Sequence, residues 1–161
     1  MSDPVDATWP PPEGTTWDGI PVAKGPPYGA SIVVYRSIGS HVEYLVLHRQ
    51  HLGTDYEGDW AWGPPGGARL PGESVEECAT RELAEEAGLD VPLTRTNFGT
   101  ASWAVFMVEV DDAEIALSPE HDRYRWVDAE EAVSVCLPQV VAGPFISVQS
   151  TLGEPMSRRK R

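Results

Sequence analysis

Runs of hydrophobic and β-branched residues mark the predicted strands of this chain. Two of them, Ala30–Arg36 (ASIVVYR) and Val42–Arg49 (VEYLVLHR), are separated by the turn-forming stretch SIGSH, a pattern that predicts a β-hairpin. A third run over Thr100–Val110 (TASWAVFMVEV) predicts a long strand, and Arg123–Asp128 (RYRWVD) alternates like a short one. Between the second and third strands, DWAWGPPGG is a short extended piece that ends in a Pro/Gly turn.

A hydrophobic pattern with helical period follows that turn. From Ser74 to Ala87, apolar side chains recur every fourth residue and form one stripe that can face a sheet. The members of the stripe are Val75, Ala79, Leu83 and Ala87. Ser74 and Glu77 form an S-x-x-E capping box, and Gly88 stands where a left-handed C-cap is expected.

Two more helices are predicted toward the C-terminal end. Asp128 is expected to cap a helix over residues 128–136, and residues 137–152 are expected to hold another that Gly143-Pro144 interrupts. Strands lie on both sides of a central helix in the predicted order, and helices follow the last strand. This order predicts a mixed sheet with helices packed on it, an α/β or α+β sandwich.

The length of the chain fits one domain with two flanking segments. At 161 residues it is large enough to bury a core. Residues 1–28 are rich in Pro and Gly and are interpreted as an N-terminal extension, residues 29–152 as the folded domain, and residues 153–161 as a basic, disordered tail. A further hypothesis is that the proline-rich N-terminus crosses between the subunits of a homodimer.

Charge and cysteine content exclude several classes of protein. The formal net charge of −13 argues against a nucleic-acid polymer as partner, although a small polyphosphate remains compatible when a divalent cation reverses the local field. Cys78 and Cys136 are too few for a disulfide framework and are predicted to be small core residues. The sequence shows no secretion signal and no apolar run of membrane-spanning length, so we expect a soluble, cytoplasmic protein without membrane partners.

Glutamates concentrate on the central helix at a density that needs an explanation. Glu82, Glu85 and Glu86 lie within about one turn, and like charges at this spacing repel by roughly 0.2–0.5 kcal/mol per pair. Taken alone, the three carboxylates fit a solvated acidic helix face. The glycine-rich turn Gly63–Gly72 and the neighbouring Arg81 favour instead a site for a divalent cation with oxygen ligands, which suits Mg²⁺, Mn²⁺ or Ca²⁺ better than zinc.

The turn and the acidic helix together resemble the Nudix box, G-x5-E-x7-R-E-U-x-E-E-x-G-U, in which U is a bulky aliphatic residue. The specified positions are filled, at the same spacing, by Gly67, Glu73, Arg81, Glu82, Leu83, Glu85, Glu86, Gly88 and Leu89. The resemblance implies the Nudix α/β/α sandwich over residues 29–152, with the box helix packed against the sheet. It also implies an enzyme that uses Mg²⁺ or Mn²⁺ to hydrolyse a diphosphate linkage in a small nucleotide, a nucleoside diphosphate joined to another group.

The same resemblance implies roles for individual residues. The metal ligands correspond to the carboxylates of Glu82, Glu85 and Glu86 and to the carbonyl of Gly67. Arg81 would orient Glu82, and Glu73 would pair with Arg81 where the loop meets the helix, which ends at Gly88. Glu82 and Arg81 are therefore candidate catalytic residues.

The general base differs among Nudix enzymes, and it is either a glutamate of the box or one in a loop. The loop candidate here is Glu120, for which an ordinary exposed acid is the alternative. The stretch Glu120–Ala132 is similar to the corresponding part of diadenosine tetraphosphate hydrolases, although the turn Pro65-Gly66-Gly67 lacks the lysine usual in those enzymes. This similarity suggests a dinucleoside polyphosphate or a (deoxy)nucleoside triphosphate as substrate.

Three further residues are candidates for binding the substrate. Arg49 and Arg69 are interpreted as phosphate contacts, with a solvated charge as the alternative for each, and Tyr124 as a surface on which a nucleobase stacks. Three alternatives to the main functional prediction stay open at this point. They are an ADP-ribose or nucleotide-sugar pyrophosphatase, a non-catalytic Nudix-fold ligand sensor, and a structural domain that binds a divalent cation.

Overall fold

A seven-stranded mixed sheet lies at the centre of the computed structural model, which describes residues 21–153. The strands are β1 (Gly29–Ile38), β2 (His41–Arg49), β3 (Trp62–Gly63), β4 (Gly66–Ala68), β5 (Thr94–Arg95), β6 (Trp103–Glu109) and β7 (His121–Val127). The helices are α1 (Val75–Ala87), α2 (Ala129–Val135) and α3 (Gln139–Leu152). Strand β1 pairs antiparallel with β2 and parallel with β6. The strand order is β3-β2-β1-β6-β5, with β4 added to β1 and β7 added to β2.

The two faces of the sheet carry separate hydrophobic cores. Successive side chains of a strand point to opposite faces, so Ile32 and Val34 belong to the core beneath α1, whereas Val33 and Tyr35 belong to the core beneath α2 and α3. Helix α1 adds Val75, Cys78, Ala79 and Leu83 to the first core, and the other two helices add Ala132, Phe145 and Val148 to the second. The predicted sandwich of helices on a mixed sheet is therefore confirmed.

Both predicted ends of α1 are confirmed. The hydroxyl of Ser74 accepts the N–H of Glu77 at 3.0 Å, and the Glu77 carboxylate accepts the N–H of Ser74 at 2.9 Å, which completes the capping box. Gly88 has a φ of 71° and its N–H bonds the last-turn carbonyls. A Cβ at this position would also lie 2.8 Å from the Cβ of Ala116, so glycine is required there for two reasons.

The predicted interruption of the last helix is wrong, because α3 continues through Pro144. Proline has no N–H to donate to the carbonyl four residues earlier, and in a helix interior it costs roughly 3 kcal/mol. Ala142, Phe145 and Val148, on either side of Pro144, are fully buried in the core beneath α2 and α3. Burying such side chains contributes roughly 1.5–3 kcal/mol for each large one, which offsets the cost of the proline.

The third predicted strand is shorter than expected. Strand β6 begins at Trp103 rather than Thr100, because the hydroxyl of Thr100 accepts the N–H groups of Ser102 and Trp103, both at 3.1 Å, and forms a turn there. Such hydroxyl-to-backbone bonds compete with strand pairing. The strand then pairs in parallel with β1 along its whole length.

Strand β7 begins earlier than predicted and ends one residue earlier. It starts at His121, two residues before the expected Arg123, and stops at Val127. Asp128 is not part of the strand, because its carboxylate accepts the N–H of Glu131 at 2.8 Å and caps α2, as the sequence also predicted. The early start places Glu120 directly before the first residue of the strand.

The segment before β1 is attached to the domain. Val22 and Ala23 are buried, and the N–H of Ala23 donates to the carbonyl of Arg69 at 2.8 Å. The part of the predicted extension that the structure describes, residues 21–28, thus packs against the turn that precedes α1.

The remaining predictions for the chain ends, including the homodimer, concern residues 1–20 and 154–161, which lie outside the described residues. Within the described part of the chain, none of the helices combines the length and apolar character needed to cross a membrane.

Both cysteines are buried and free, as expected for core residues. Burial raises the pKa of the Cys78 and Cys136 thiols to about 12.

Candidate active site

Two glutamates of α1 are buried beside its apolar stripe. Glu82 and Glu86 keep 8% and 6% of their surface exposed. They lie four residues apart on the edge of the stripe, so the packing of Leu83 against the sheet carries both carboxylates inward. Glu85, between them in sequence, keeps 57% of its side chain exposed.

The backbone of β4 forms the opposite wall of this site. The N–H of Gly66 donates to Oε1 of Glu86 at 2.9 Å. A Cβ on Gly67 would lie 2.5 Å from Cδ of Glu82 and 2.6 Å from each of its carboxylate oxygens. A side chain at position 67 would therefore displace the carboxylate, so glycine is what allows backbone and acid to approach this closely.

The two buried carboxylates resist ionisation. Burial raises the pKa of Glu82, and the guanidinium of Arg81 opposes this effect. Burial and then the adjacent Glu82 carboxylate raise the pKa of Glu86 well above its usual value, against the opposing influence of the Gly66 N–H and of Arg49. Neighbouring buried acids of this kind are costly unless they are protonated or a cation lies between them.

Arg81 joins the start of α1 to its acidic end. Its Nε and Nη2 donate to the two carboxylate oxygens of Glu73, at 2.7 and 3.0 Å, and Nη2 also donates to the carbonyl of Ala68 at 3.0 Å. Its Nη1 donates to Glu82 at 2.8 Å and to Glu85 at 3.2 Å. The hydrogen bonds from Arg81 lower the pKa of Glu73. The two contacts implied by the Nudix resemblance, Glu73 with Arg81 and Arg81 with Glu82, are both present.

Glu85 does not join the other two glutamates in this arrangement. Across residues 21–153, no three His, Cys, Asp or Glu side chains are grouped so as to hold a metal ion. The expectation that three carboxylates converge is therefore not met, because Arg81 binds Glu82 and also draws Glu85 toward the exposed side of the helix. The 3.2 Å bond to Glu85 is the longest of those that this guanidinium makes.

Arg49 and Glu120 lie near Glu86 and approach it from the sheet. Arg49 is the last residue of β2, and burial lowers the pKa of its guanidinium while the nearby Glu86 and Glu120 oppose that change. The carbonyl of Glu120 accepts the N–H of Gln50 at 2.9 Å, which attaches the loop before β7 to the end of β2. The structure thus brings an arginine and a third acid toward Glu86 from residues far apart in sequence.

Arg69 occupies a different place from the one expected of a substrate contact. Its Nε, Nη1 and Nη2 donate to the backbone carbonyls of Pro27, Glu73 and Gly25, at 2.8, 2.6 and 2.7 Å. These bonds hold the segment before β1 against the start of α1. The expectation of a phosphate contact is therefore corrected to a structural role, because all three guanidinium nitrogens are engaged by backbone oxygens.

Tyr124 and His121 lie on the same side of the sheet as α1. Tyr124 pairs with Leu47, a member of the core beneath α1, and is 41% exposed, so its ring is available for stacking. His121 follows Glu120 and is more enclosed: burial and then Arg49 lower the pKa of its imidazole to about 4. Its Nδ1 is buried without a hydrogen-bond partner.

A polar cluster surrounds Trp62 that the patterns in the sequence do not predict. Its members are His48, Tyr56, Glu57, Asp122 and Arg123, and His48 is fully buried. The pairing of β2 with β7 brings His48 to Asp122 and Arg123, and the segment between β2 and β3 adds Tyr56 and Glu57. The one available signal was a histidine at the end of the hydrophobic run VEYLVLHR, in a register that points it inward.

The donor set fits a divalent cation with oxygen ligands. Glu82 and Glu86 supply two carboxylates next to a space that a Cβ on Gly67 would fill. Both carboxylates are buried, and Arg81 and Arg49 do not fully compensate their negative charge. The carbonyl of Gly67 points to α1 as well, since it accepts the Cys78 thiol at 3.6 Å. Oxygen donors of this kind suit Mg²⁺ or Mn²⁺.

Known proteins are similar to this chain in sequence and in fold. The sequence profile of the NUDIX domain matches residues 25–144. The chain is 35% identical over 105 residues to the asymmetrical bis(5'-nucleosyl)-tetraphosphatase of Sus scrofa, a match that covers 56% of this chain and 67% of the relative. An octanoyltransferase of Myxococcus xanthus is 32% identical over 134 residues, which cover 74% of this chain and 36% of that protein.

Among solved structures, an Ap4A hydrolase of C. elegans in a binary complex is similar in fold. The TM-score is 0.64 at 24% identity, and the match covers 78% of this chain and 96% of the other. The domain profile thus matches most of a chain that has a sheet between two helical layers, a capped α1 and the contacts centred on Arg81. The chain belongs to the NUDIX family, and it is a Nudix pyrophosphohydrolase.

Proposed function

We propose that this enzyme hydrolyses a dinucleoside polyphosphate, such as diadenosine tetraphosphate, with Mg²⁺ or Mn²⁺ bound at Glu82 and Glu86. The similarity to the Sus scrofa tetraphosphatase supports the substrate class. The resemblance of Glu120–Ala132 to diadenosine tetraphosphate hydrolases supports it independently of the Nudix box. The net charge of −13 is also consistent with a polyphosphate that arrives together with divalent cations.

The observation that carries the metal requirement is the burial of Glu82 and Glu86 beside each other and against Gly67. In the proposed site these two carboxylates and the carbonyl of Gly67 hold the cation, and Glu85 is the further ligand expected from the family pattern. When bound, the cation neutralises phosphate charge and lowers the pKa of a water molecule.

The other residues around Glu86 are proposed to act on the substrate and on that water. Glu120 accepts the proton of the attacking water, as a carboxylate within reach of the reacting group can. Arg49 binds a phosphate oxygen through its guanidinium, which lies close to both acids. Tyr124 stacks on one nucleobase from the exposed surface of β7.

The chemistry is a single displacement at phosphorus. The oxygen of water forms a bond to one phosphorus atom, the anhydride P–O bond on the far side breaks, and the leaving phosphate keeps the bonding electron pair. Asymmetrical cleavage of a four-phosphate chain gives one nucleoside monophosphate and one nucleoside triphosphate. Symmetrical cleavage would give two diphosphates, so the products by themselves distinguish the two reactions.

A substrate panel tests this proposal. Diadenosine tetraphosphate, nucleoside triphosphates, 8-oxo-dGTP, ADP-ribose and nucleotide sugars are incubated with the enzyme and Mg²⁺, Mn²⁺ or EDTA, and products are separated by ion-exchange chromatography. We expect the highest kcat/KM for diadenosine tetraphosphate, with AMP and ATP as products and no turnover in EDTA. A preference for another nucleotide would overturn the substrate class, and full activity in EDTA would overturn the metal requirement.

Two substitutions in α1, one a test and the other its matched control, examine the proposed ligand set. Glu82→Gln removes a buried carboxylate of the proposed site, whereas Glu76→Gln removes one whose side chain is 61% exposed and pairs with Arg95. The first is expected to lose turnover and the second to keep it. Retained activity in Glu82→Gln would show that the proposed ligand set is wrong, even if the substrate is right.

A further inference from the structure

The pairing of β2 with β7 is irregular next to the proposed site. Leu47 pairs with Tyr124 and His48 pairs with Arg123, but the next pair joins Arg49 to His121. Asp122 is thus an extra residue on β7 with no counterpart on β2, which is a one-residue β-bulge. Bulges bend a strand and change the direction in which its side chains point, and they are common beside active sites.

The bulge decides which face of the sheet receives His121. Arg123 and Arg125 both lie over the ring of Trp62, at 5.2 and 4.6 Å from its centroid, so these alternate residues share the face of α2 and α3. In a regular strand His121 would point to this face as well, because side chains alternate with a period of two. Instead it pairs with Arg49, and Asp122 takes the place on the Trp62 side.

The neighbours of these residues agree with this assignment. Asp122 contacts His48, whose ring is 4.9 Å from that of Trp62. The pKa of His121 is lowered by burial and, next, by the positive charge of Arg49, so the two side chains lie close together. If β7 paired with β2 without the bulge, Asp122 would lie opposite Arg49 and face α1, and His121 would point to the face of α2 and α3.

A buried histidine contacts the extra residue of the bulge. His48 is fully buried, and its Nδ1 lies 2.9 Å from Oδ1 of Asp122 while its Nε2 lies 2.7 Å from the carbonyl of Tyr56. Both ring nitrogens therefore face oxygen atoms, which fixes the ring at two ends. Arg123 adds a bond to the same Asp122 oxygen at 3.1 Å and one to Glu57 at 2.8 Å.

We propose that His48 and Asp122 are positioning residues of the hydrolase, whose hydrogen bond locks the β7 bulge that directs Glu120 and His121 toward Arg49 and Glu86. Neither residue touches the proposed metal site, and their effect passes through Glu120. This inference rests on the proposed function in one respect, the role of Glu120 as general base.

Kinetics of Asp122 variants are the first test. Asp122→Ala removes the side chain that contacts Nδ1 of His48 and is expected to lower kcat by about 10²-fold with little change in KM, since a misplacement of about 1 Å can have that effect. Asp122→Asn keeps an amide that can either accept from Nδ1 or donate to it, and it should restore most of the activity. Arg125→Ala, on the same strand and face but outside the bulge, should retain the wild-type kcat.

A double-mutant cycle separates positioning from general stability. If Asp122 acts through Glu120, then adding Asp122→Ala to Glu120→Gln produces no further loss of kcat, because the base is already absent. If Asp122 merely stabilises the fold, the two losses multiply and Asp122→Asn gives no rescue. Multiplying losses, or an Asp122→Ala enzyme with wild-type kcat, would overturn the proposal.

A crystal structure of the Asp122→Ala enzyme tests the bulge without reference to any substrate. If the contact between His48 and Asp122 holds the bulge, we expect β2 and β7 to pair in regular register, with residue 122 opposite Arg49 and His121 turned toward Trp62. If His121 instead stays beside Arg49, that contact does not hold the bulge and the inference is wrong. Should the substrate panel show no turnover at all, the proposed function fails while this structural result still decides the inference.

Discussion

Glu73 and Glu86 belong to the same loop–helix motif and lie in opposite electrostatic surroundings. Glu73 receives two hydrogen bonds from the Arg81 guanidinium and one from the N–H of Leu70, and its pKa is lowered. Glu86 is buried next to Glu82, receives one bond from Gly66, and its pKa is raised. Groups of the protein thus neutralise the carboxylate of Glu73, whereas the carboxylate of Glu86 lacks a sufficient positively charged partner.

The difference separates a structural role from a chemical one. A carboxylate whose charge and hydrogen-bonding capacity are already matched by groups of the protein stabilises the fold and is not available to a ligand. A buried carboxylate without a sufficient partner destabilises the fold, and that cost is recovered when a cation binds. Glu73 therefore holds the turn to the helix, whereas Glu86 is available for the cation and polyphosphate of the proposed reaction.

Replacing Glu86 by Gln should give the largest effect and should move activity and stability in opposite directions. Turnover is expected to fall by at least about 10²-fold, as when an electrostatic group at a reacting centre is lost. The metal-free protein should unfold at a higher temperature, because the variant no longer buries two adjacent acids and its side-chain oxygen still accepts the Gly66 bond. Enzyme assays and thermal unfolding in EDTA measure the two quantities; a lower unfolding temperature would contradict the comparison.

Adding Mg²⁺ should stabilise the wild-type protein through the same pair of acids. At a concentration 100 times Kd, a ligand that binds only the native state raises the free energy of unfolding by about 2.7 kcal/mol. Glu73→Gln should keep much of this shift and Glu86→Gln should lose it. Thermal unfolding over a series of Mg²⁺ concentrations checks the prediction, and an equal shift in both variants would place the cation elsewhere.

Replacing Arg69 by Met tests its reassignment to a structural role. Because its guanidinium binds three backbone carbonyls, the free energy of unfolding should fall by about 2 kcal/mol, in the range for hydrogen bonds from charged groups. The KM of the folded variant should stay unchanged. Arg95→Met, which removes an exposed arginine paired with Glu76, is the control and should change stability by about 0.5 kcal/mol or less. A large rise in KM for the Arg69 variant would restore the substrate role.

Glu73→Gln should produce the smallest effect and a defined pH dependence. The pKa of Glu73 is lowered from 4.5, so the Arg81 pair stabilises the fold above pH 4.5 and loses its contribution as the pH falls through the lower, folded-state pKa. At pH 7 the variant should be less stable by about 1–2 kcal/mol. The difference between wild type and variant, measured by urea unfolding, should shrink with acidification; a constant difference would argue against this pairing.

The sequence by itself determined the parts of the molecule that depend on neighbouring residues. The ends of α1 follow from Ser74, Glu77 and Gly88, because capping bonds join residues a few positions apart. The sandwich follows from the hydrophobic runs of β1 and β2, from the apolar stripe of α1 and from the order of these elements along the chain. The resemblance to the Nudix box predicted the contacts of Arg81 with Glu73 and Glu82, because all three residues lie within one turn and the helix that follows it.

The tertiary structure decided what depends on long-range packing. From the local sequence alone, Pro144 is expected to interrupt the last helix, but the buried side chains around it keep α3 continuous. Helical spacing alone does not separate Glu86 from Glu85; the sheet buries one, and Arg81 draws the other outward. The β7 bulge at Asp122 cannot be read from the chain, because a bulge is a property of two paired strands and is set by where His48 and Arg49 find their partners.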